Sequence, residues 1–265
     1  MIYRSLKYLF YITLFVTPFF SYSQVIIDSG NQINELKGII YKNEYSLEAK
    51  LHTNGMSVGF NKAKIIKYYK TTFYHFELGF LKSIKQKKGN LILTSINLYN
   101  NYTYGKQNYF FPLRIGKGYR IYLSEKDAFR GVAVGYSLEA GLTLGIAKPY
   151  YLWVKSTNSD NQAYLTEIKY DEENAEVFMD QDIIFDKASI FKGVLESKFY
   201  PGAHLNAALH FGLKAYEKPV YAIETGIIVD AFTKRIPIMV ETENFKNNWI
   251  FFNVFVNIHL GRRWN

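Results

Sequence analysis

Hydrophobic side chains recur at every second position along most of the chain. Leu205, Ala207, Leu209, Phe211 and Leu213 alternate with His204, Asn206 and His210, and after a break at Glu217-Lys218 the alternation resumes as far as residue 232. Residues 131–146 set Val132, Val134, Tyr136, Leu138, Leu142, Leu144 and Ile146 against Gly131, Ala133, Gly135, Ser137, Glu139, Gly141, Thr143 and Gly145. The same rhythm runs through Tyr74, Phe76, Leu78 and Phe80, through Tyr109, Phe111, Leu113 and Ile115, and through Phe252, Val254, Val256, Ile258 and Leu260. A period of two is that of a β-strand with one apolar face. The other face carries the information. In a soluble sandwich it meets bulk water and is bulky and rich in Lys, Thr and Glu, whereas here it is Gly, Ala and Ser with isolated charges. A small, curved, crowded interior takes such residues, which puts the apolar face on the outside. Segments of about ten alternating residues with aromatics near their ends mark a transmembrane antiparallel up-and-down β-barrel, an all-β fold.

Strands are expected near 45–53, 56–66, 72–82, 105–123, 131–150, 201–215, 219–232 and 248–261, about eight in all. The connections after the second, fourth and sixth, "KYYK", "SEKDAFRG" and "YEKP", are short; those at 83–104, 151–200 and 233–247 are long. Short turns on the periplasmic side and long loops outside are the asymmetry of outer-membrane barrels. In the first hairpin Asn54-Gly55 suits a type I′ turn. The apolar phase flips there, from Leu47, Ala49 and Leu51 to Met56, Val58 and Phe60. A bulge in one long strand would flip it equally, which leaves the strand count open by one or two.

The amino terminus supplies the compartment. Basic Arg4 and Lys7, an apolar run from Tyr8 to Phe20, and Ser21 and Ser23 flanking Tyr22 form a secretory signal peptide over residues 1–23. A retained anchor needs about 20 apolar residues, more than this run offers. Residues 24–43 lack alternation and read as a periplasmic segment before a barrel over 44–265, with 151–200 a long external loop. The formal charge of +9 falls to +7 once Arg4 and Lys7 are removed. No nucleic-acid-reading motif accompanies it, so nucleic acid is excluded as a partner. Without cysteine there is no disulfide framework, thiolate metal site or lipidated N-terminal Cys.

The stretches "KLHTNGMSVGF", "YGKQNYFFPLRIGKGYR", "GVAVGYSLEAGLTLGIAKPYYL", "ASIFKG" and "IETGIIVDAFTKRIPIM", before a last aromatic strand ending "GRRWN", together resemble uncharacterised outer-membrane β-barrel proteins of Bacteroidota. The resemblance spans most of residues 50–265 and implies the barrel and its membrane, with no activity attached. Trp264 stands next to last, where barrel assembly signals commonly have an aromatic residue last.

Candidate chemistry lies on the inward face: Glu48, Lys50, His52, His75, Glu77, Arg114, Arg120, Glu139, His204, His210, Lys214, Glu224, Asn253, Asn257 and His259, with Asp230 beside them. Five histidines invite a metal or an acid–base site. Neither an HExxH ligand spacing nor a GxSxG nucleophile motif is present, so no catalytic residue, metal or cofactor is assigned. About eight strands leave a bore just wide enough for side chains, and the inward residues read as a filled, ion-paired network. A turn centred near Asp127 would set Glu139 beside Arg114, and one at Glu217-Lys218 would set His210 opposite Glu224. The acidic run from Glu167 to Asp186 lacks the pattern of a calcium loop and reads as solvated. Lys82, Lys85, Lys87 and Lys88 on the same outer side suit those acids or lipopolysaccharide phosphates. The implied role is structural or accessory, in a larger envelope complex, with membrane lipid, lipopolysaccharide and other outer-membrane or periplasmic proteins as partners. An enzyme modifying lipid A or phospholipid, revived by a Ser, His and Glu meeting at the outer rim, and a narrow pore are the alternatives.

Overall fold

The structure, a computed structural model, describes residues 41–83, 87–88, 102–123, 132–157, 162–213, 217–243 and 245–265. The expected signal peptide, residues 24–40 of the segment after it, and Lys85, Asp127 and Lys214 lie outside the described residues.

Eight antiparallel strands close into a barrel. Numbered within the barrel they are β1 (Asn43–His52), β2 (Gly55–Lys67), β3 (Lys70–Leu81), β4 (Asn108–Tyr122), β5 (Ala133–Pro149), β6 (Lys198–Gly212), β7 (Pro219–Phe232) and β8 (Ile250–Trp264). Each pairs with its neighbour in sequence, and β8 closes on β1 through Asn43↔Trp264 to His52↔Phe255. Followed once round, the register leads from Asn43 through Lys64, Thr72, Tyr119, Leu138, Ala207, Ile227 and Val254 to the amide of Thr53, ten residues above the start. That stagger is the shear of the barrel; it tilts the strands by about 35–45° and leaves a bore that side chains fill.

The first hairpin is a true hairpin. His52 pairs with Gly55, so the loop residues are Thr53 and Asn54, one position earlier than Asn54-Gly55. A two-residue loop pairs odd positions with even ones, and Leu47, Ala49 and Leu51 therefore share a face with Phe60, Val58 and Met56. The phase flip comes from that loop rather than from a bulge.

Polarity is inverted relative to a soluble domain. Leu47, Leu51, Met56, Val58, Phe76, Leu78, Ile115, Leu142, Leu205, Phe252, Val254 and Val256 stand exposed on the outside, Leu142 at 73%. Inside, carboxylates, guanidinium groups and imidazoles are buried. Each fully exposed Leu, Val or Phe forgoes about 1.5–3 kcal/mol of burial in water, a sacrifice no soluble fold makes across a whole surface. Among the described residues no helix is long and apolar enough to cross a membrane.

The start of β1, the end of β8 and the turn at Tyr68-Tyr69 lie at one end of the barrel, and residues 150–157, 162–197, 233–243 and 245–249 at the other. The segment 151–200, expected as a long external loop, carries secondary structure of its own through most of its described residues. Tyr151–Thr157 pairs with Ala163–Lys169 and Ile184–Lys187 in a three-stranded sheet, and Ala175–Met179 forms one helical turn. Leu152, Val154, Phe178 and Ile184 from this cap meet Tyr102, Tyr150 and Val240 in a small core. The acid-rich run works locally: Asp171 caps the turn Glu172–Asn174, and Glu167 pairs with Lys192. At the mouth below, Phe110, Phe232 and Phe251 face inward with ring centroids 5.3–5.9 Å apart. Ile236, Ile238 and Met239 fold over them and complete an apolar stopper.

Candidate functional site

Alternation brings the inward residues of all eight strands into one column of polar groups. At the terminal end Glu44 accepts from Arg120 (3.0 Å) and Arg263 (2.7 Å). Next, Glu224 binds His210 Nδ1 (2.9 Å) and His259 Nε2 (2.8 Å) and accepts from Ser137 Oγ (2.9 Å). At mid-height Glu48 accepts from Asn61 and from Asn257 Nδ2 (2.7 Å). Beside it Glu139 meets His75 Nδ1 (2.7 Å), His204 Nε2 (3.0 Å) and Asn206 Nδ2 (3.1 Å). Toward the cap Glu77 accepts from Lys50 and Arg114. Arg114 reaches across the bore and grips both oxygens of Asp230 (2.8 and 2.7 Å). Thr143 Oγ1 links Asp230 (3.3 Å) to His204 Nδ1 (3.0 Å). Glycine makes room for this crowding: a Cβ on Gly116 would collide with Glu139 Oε1.

Every described residue of the expected set is buried in this column: Glu48, Lys50, His52, His75, Glu77, Arg114, Arg120, Glu139, His204, His210, Glu224, Asn253, Asn257 and His259. His52 stands apart, as neither ring nitrogen makes a hydrogen bond. Lys214 lies outside the described residues. The expected pair His210–Glu224 is present, on adjacent strands. The expected pair Arg114–Glu139 is absent and is corrected: Arg114 faces Thr143, and Glu139 faces Gly118. The β4–β5 turn closes at Leu123–Val134, beyond the centre near Asp127, and this slides every partner along the strand. Glu44, Asn61, Ser137, Thr143, Asn206, Asp230 and Arg263 also belong to the column, and of these Glu44, Asn61 and Arg263 were not placed on the inward face from sequence. Glu44 and Arg263 sit where β1 and β8 close, a pairing visible only in the closed barrel.

No family model, curated protein or solved structure matches this chain. Chemistry must therefore be read from the column itself. Among the described residues the interior holds six carboxylates (Glu44, Glu48, Glu77, Glu139, Glu224, Asp230) against four fixed cations (Lys50, Arg114, Arg120, Arg263), with the imidazoles of His75, His204, His210 and His259 hydrogen-bonded or ion-paired to the carboxylates. One group has metal-ligand composition: His210, Glu224 and His259 offer atoms within 4.8 Å of one another. Both Glu224 oxygens are already held by the two rings, so the trio closes on itself as a hydrogen-bonded bridge. Ser137, Glu224 and His210 do meet, yet in the order Ser–Glu–His: the serine donates to the carboxylate, and no imidazole takes its proton. They also lie buried toward the terminal end of the barrel, away from the capped rim.

Proposed function

We propose that the protein is a closed, non-conducting barrel of the bacterial outer membrane, of the kind found in Bacteroidota, exported by a cleaved signal peptide and serving a structural or accessory role in a larger envelope complex. The observation that carries this reading is the inversion of polarity: an apolar outer belt around a charged, hydrogen-bonded interior is what lipid outside and no solvent inside require. A pore needs a solvated lumen, and a channel through these groups would expose them; instead they are buried and the cap-side mouth is stoppered by Phe110, Phe232 and Phe251. An enzyme acting on lipid needs a nucleophile or base at the rim, and the Ser–Glu–His contact lies in the wrong order and the wrong place. What is left to offer a partner is the folded cap and the outer wall.

The test combines three measurements on the full chain. The protein should fractionate with outer membranes. An epitope inserted at Asn158-Ser159 should be labelled on intact cells, and purified protein in a planar bilayer should give no steady conductance. Recovery in the soluble periplasm would reject the membrane reading, and a stable open channel would reject the filled interior. Purification in mild detergent should bring down an envelope protein in fixed ratio; a chain that is always alone, with a lipid-cleaving activity, would turn the assignment to the enzyme.

A further inference from the structure

We infer that the cap-side rim of the barrel, around Lys106, binds a phosphate group carried by an amphiphile of the surrounding leaflet. This rests on the membrane reading above and adds a ligand to it. Lys106 lies just before β4 and is 3% exposed. Its Nζ stands 4.0 Å from the ring centroid of Tyr109 and 5.5 Å from those of Phe80 and Tyr150. Among the described residues no carboxylate or hydrogen-bond acceptor reaches this ammonium group. Ring faces return only part of what desolvating an ammonium ion costs, so the site is short of an anion.

The neighbours deepen the deficit. Lys148 Nζ lies 5.0 Å from the same Tyr109 ring and is held in place by the carbonyls of Pro149 and Lys192. Lys82 Nζ lies 5.5 Å from the same Phe80 ring. Burial, together with Lys82, Lys148 and Lys187, pushes Lys106 down to about 8. The strands around the site bring no acid of their own: in the sequence no Asp or Glu falls between Leu78 and Ser124. Lys82, Lys106 and Lys148 converge on this cluster of rings, with Lys187 close enough to act on Lys106; the acids felt here, Asp186 at Tyr150 and Glu196 at Lys148, leave Lys106 itself without an ion pair among the described residues. A phosphate monoester or diester, with several acceptor oxygens and one to two charges, meets that need through charge-assisted hydrogen bonds.

The position favours a lipid-borne phosphate. Phe80 and Phe111 pack at 5.3 Å on the outer surface at the end of the apolar belt, directly above Leu78 and Leu113. Acyl chains against the belt and a phosphate among the lysines would use both halves of the site, as a phosphorylated glycolipid does.

The probes are lipid A carrying its phosphates, the same lipid after dephosphorylation, and inorganic phosphate, each titrated into purified full-length protein in neutral detergent and read by native mass spectrometry and melting temperature. The phosphorylated lipid should bind at least about tenfold more tightly than the dephosphorylated one. Lys106→Met should erase that preference, and Lys106→Arg should keep it. Competition by inorganic phosphate would assign the site to the free anion, and failure to compete to the lipid-borne group. Equal binding of the two lipids, or an undiminished preference in Lys106→Met protein that still melts cooperatively, overturns the site. Insertion into phosphatidylethanolamine vesicles is scored separately: a protein that inserts without phosphate preference loses only this site, and one that does not insert loses the membrane reading.

Discussion

Arg114→Met tests the buried column at its most connected cation. Arg114 donates two hydrogen bonds to Asp230 and one to Glu77, and all three residues are at most 2% exposed. After the substitution Glu77 keeps Lys50, but Asp230 keeps only Thr143 Oγ1 at 3.3 Å. Stranding one buried carboxylate in this way costs about 3–5 kcal/mol. Replacing the stranded acid as well, in Arg114→Met with Asp230→Asn, should recover most of that loss, because an amide carries no charge to desolvate. Arg114→Met with Glu139→Gln, the pair that sequence alone suggests, should recover nothing, since Glu139 is held by His75 and His204. Unfolding by guanidinium in detergent, followed through the fluorescence of Trp153, Trp249 and Trp264, gives the free energies of wild type, of Arg114→Met and Asp230→Asn alone, and of the two double variants. A loss below about 1 kcal/mol for Arg114→Met, or strict additivity with Asp230→Asn, would refute the cross-barrel pairing.

Adjacent positions on β5 should differ sharply: Leu138→Arg on the outer face should cost about 2–4 kcal/mol in a bilayer, and Ser137→Thr, which keeps its hydroxyl on Glu224, under about 1 kcal/mol, with equal costs counting against the inverted polarity. Lys106 is lowered from 10.5 to about 8, so between those values the unfolded chain holds more protons than the folded one. In anion-free detergent, stability should therefore rise with pH across that window, and the rise should be lost in Lys106→Met, so that it appears as the pH dependence of the difference between the two proteins. Zinc ions or a chelator should leave the melting temperature unchanged, because Glu224 already satisfies both His210 and His259; a zinc-dependent rise of several degrees that His259→Gln abolishes would make the trio a metal centre instead.

Much of this was legible in the sequence because parity is robust. Period-two alternation says which residues share a face without saying what they touch, and it assigned every described member of the expected column to the interior. Register is a different matter. It depends on where each turn closes, and a shift of the β4–β5 closure to Leu123–Val134 was enough to move Arg114 from Glu139 to Thr143. Partners across the bore, such as Arg114 with Asp230, depend on closure and shear together, which no local pattern encodes. The apolar stopper left a fainter trace: in Phe110-Phe111 and Phe251-Phe252 two consecutive aromatics put one ring on each face. The cap core was hidden because Phe178 and Ile184 lie inside an acid-rich run, where charge dominates the composition.

The seam between β1 and β8 governs when the molecule comes into being. Glu44 waits for Arg263, 219 residues downstream, and Glu48 for Asn257, 209 residues downstream. Until the last strand arrives, the nascent sheet carries open edges and carboxylates without their distant partners, and hydrocarbon tolerates neither. For a barrel placed in lipid as proposed above, closure and entry would then be one event rather than two. A chain halted before residue 250 would forfeit the whole membrane-competent state, not merely one strand in eight.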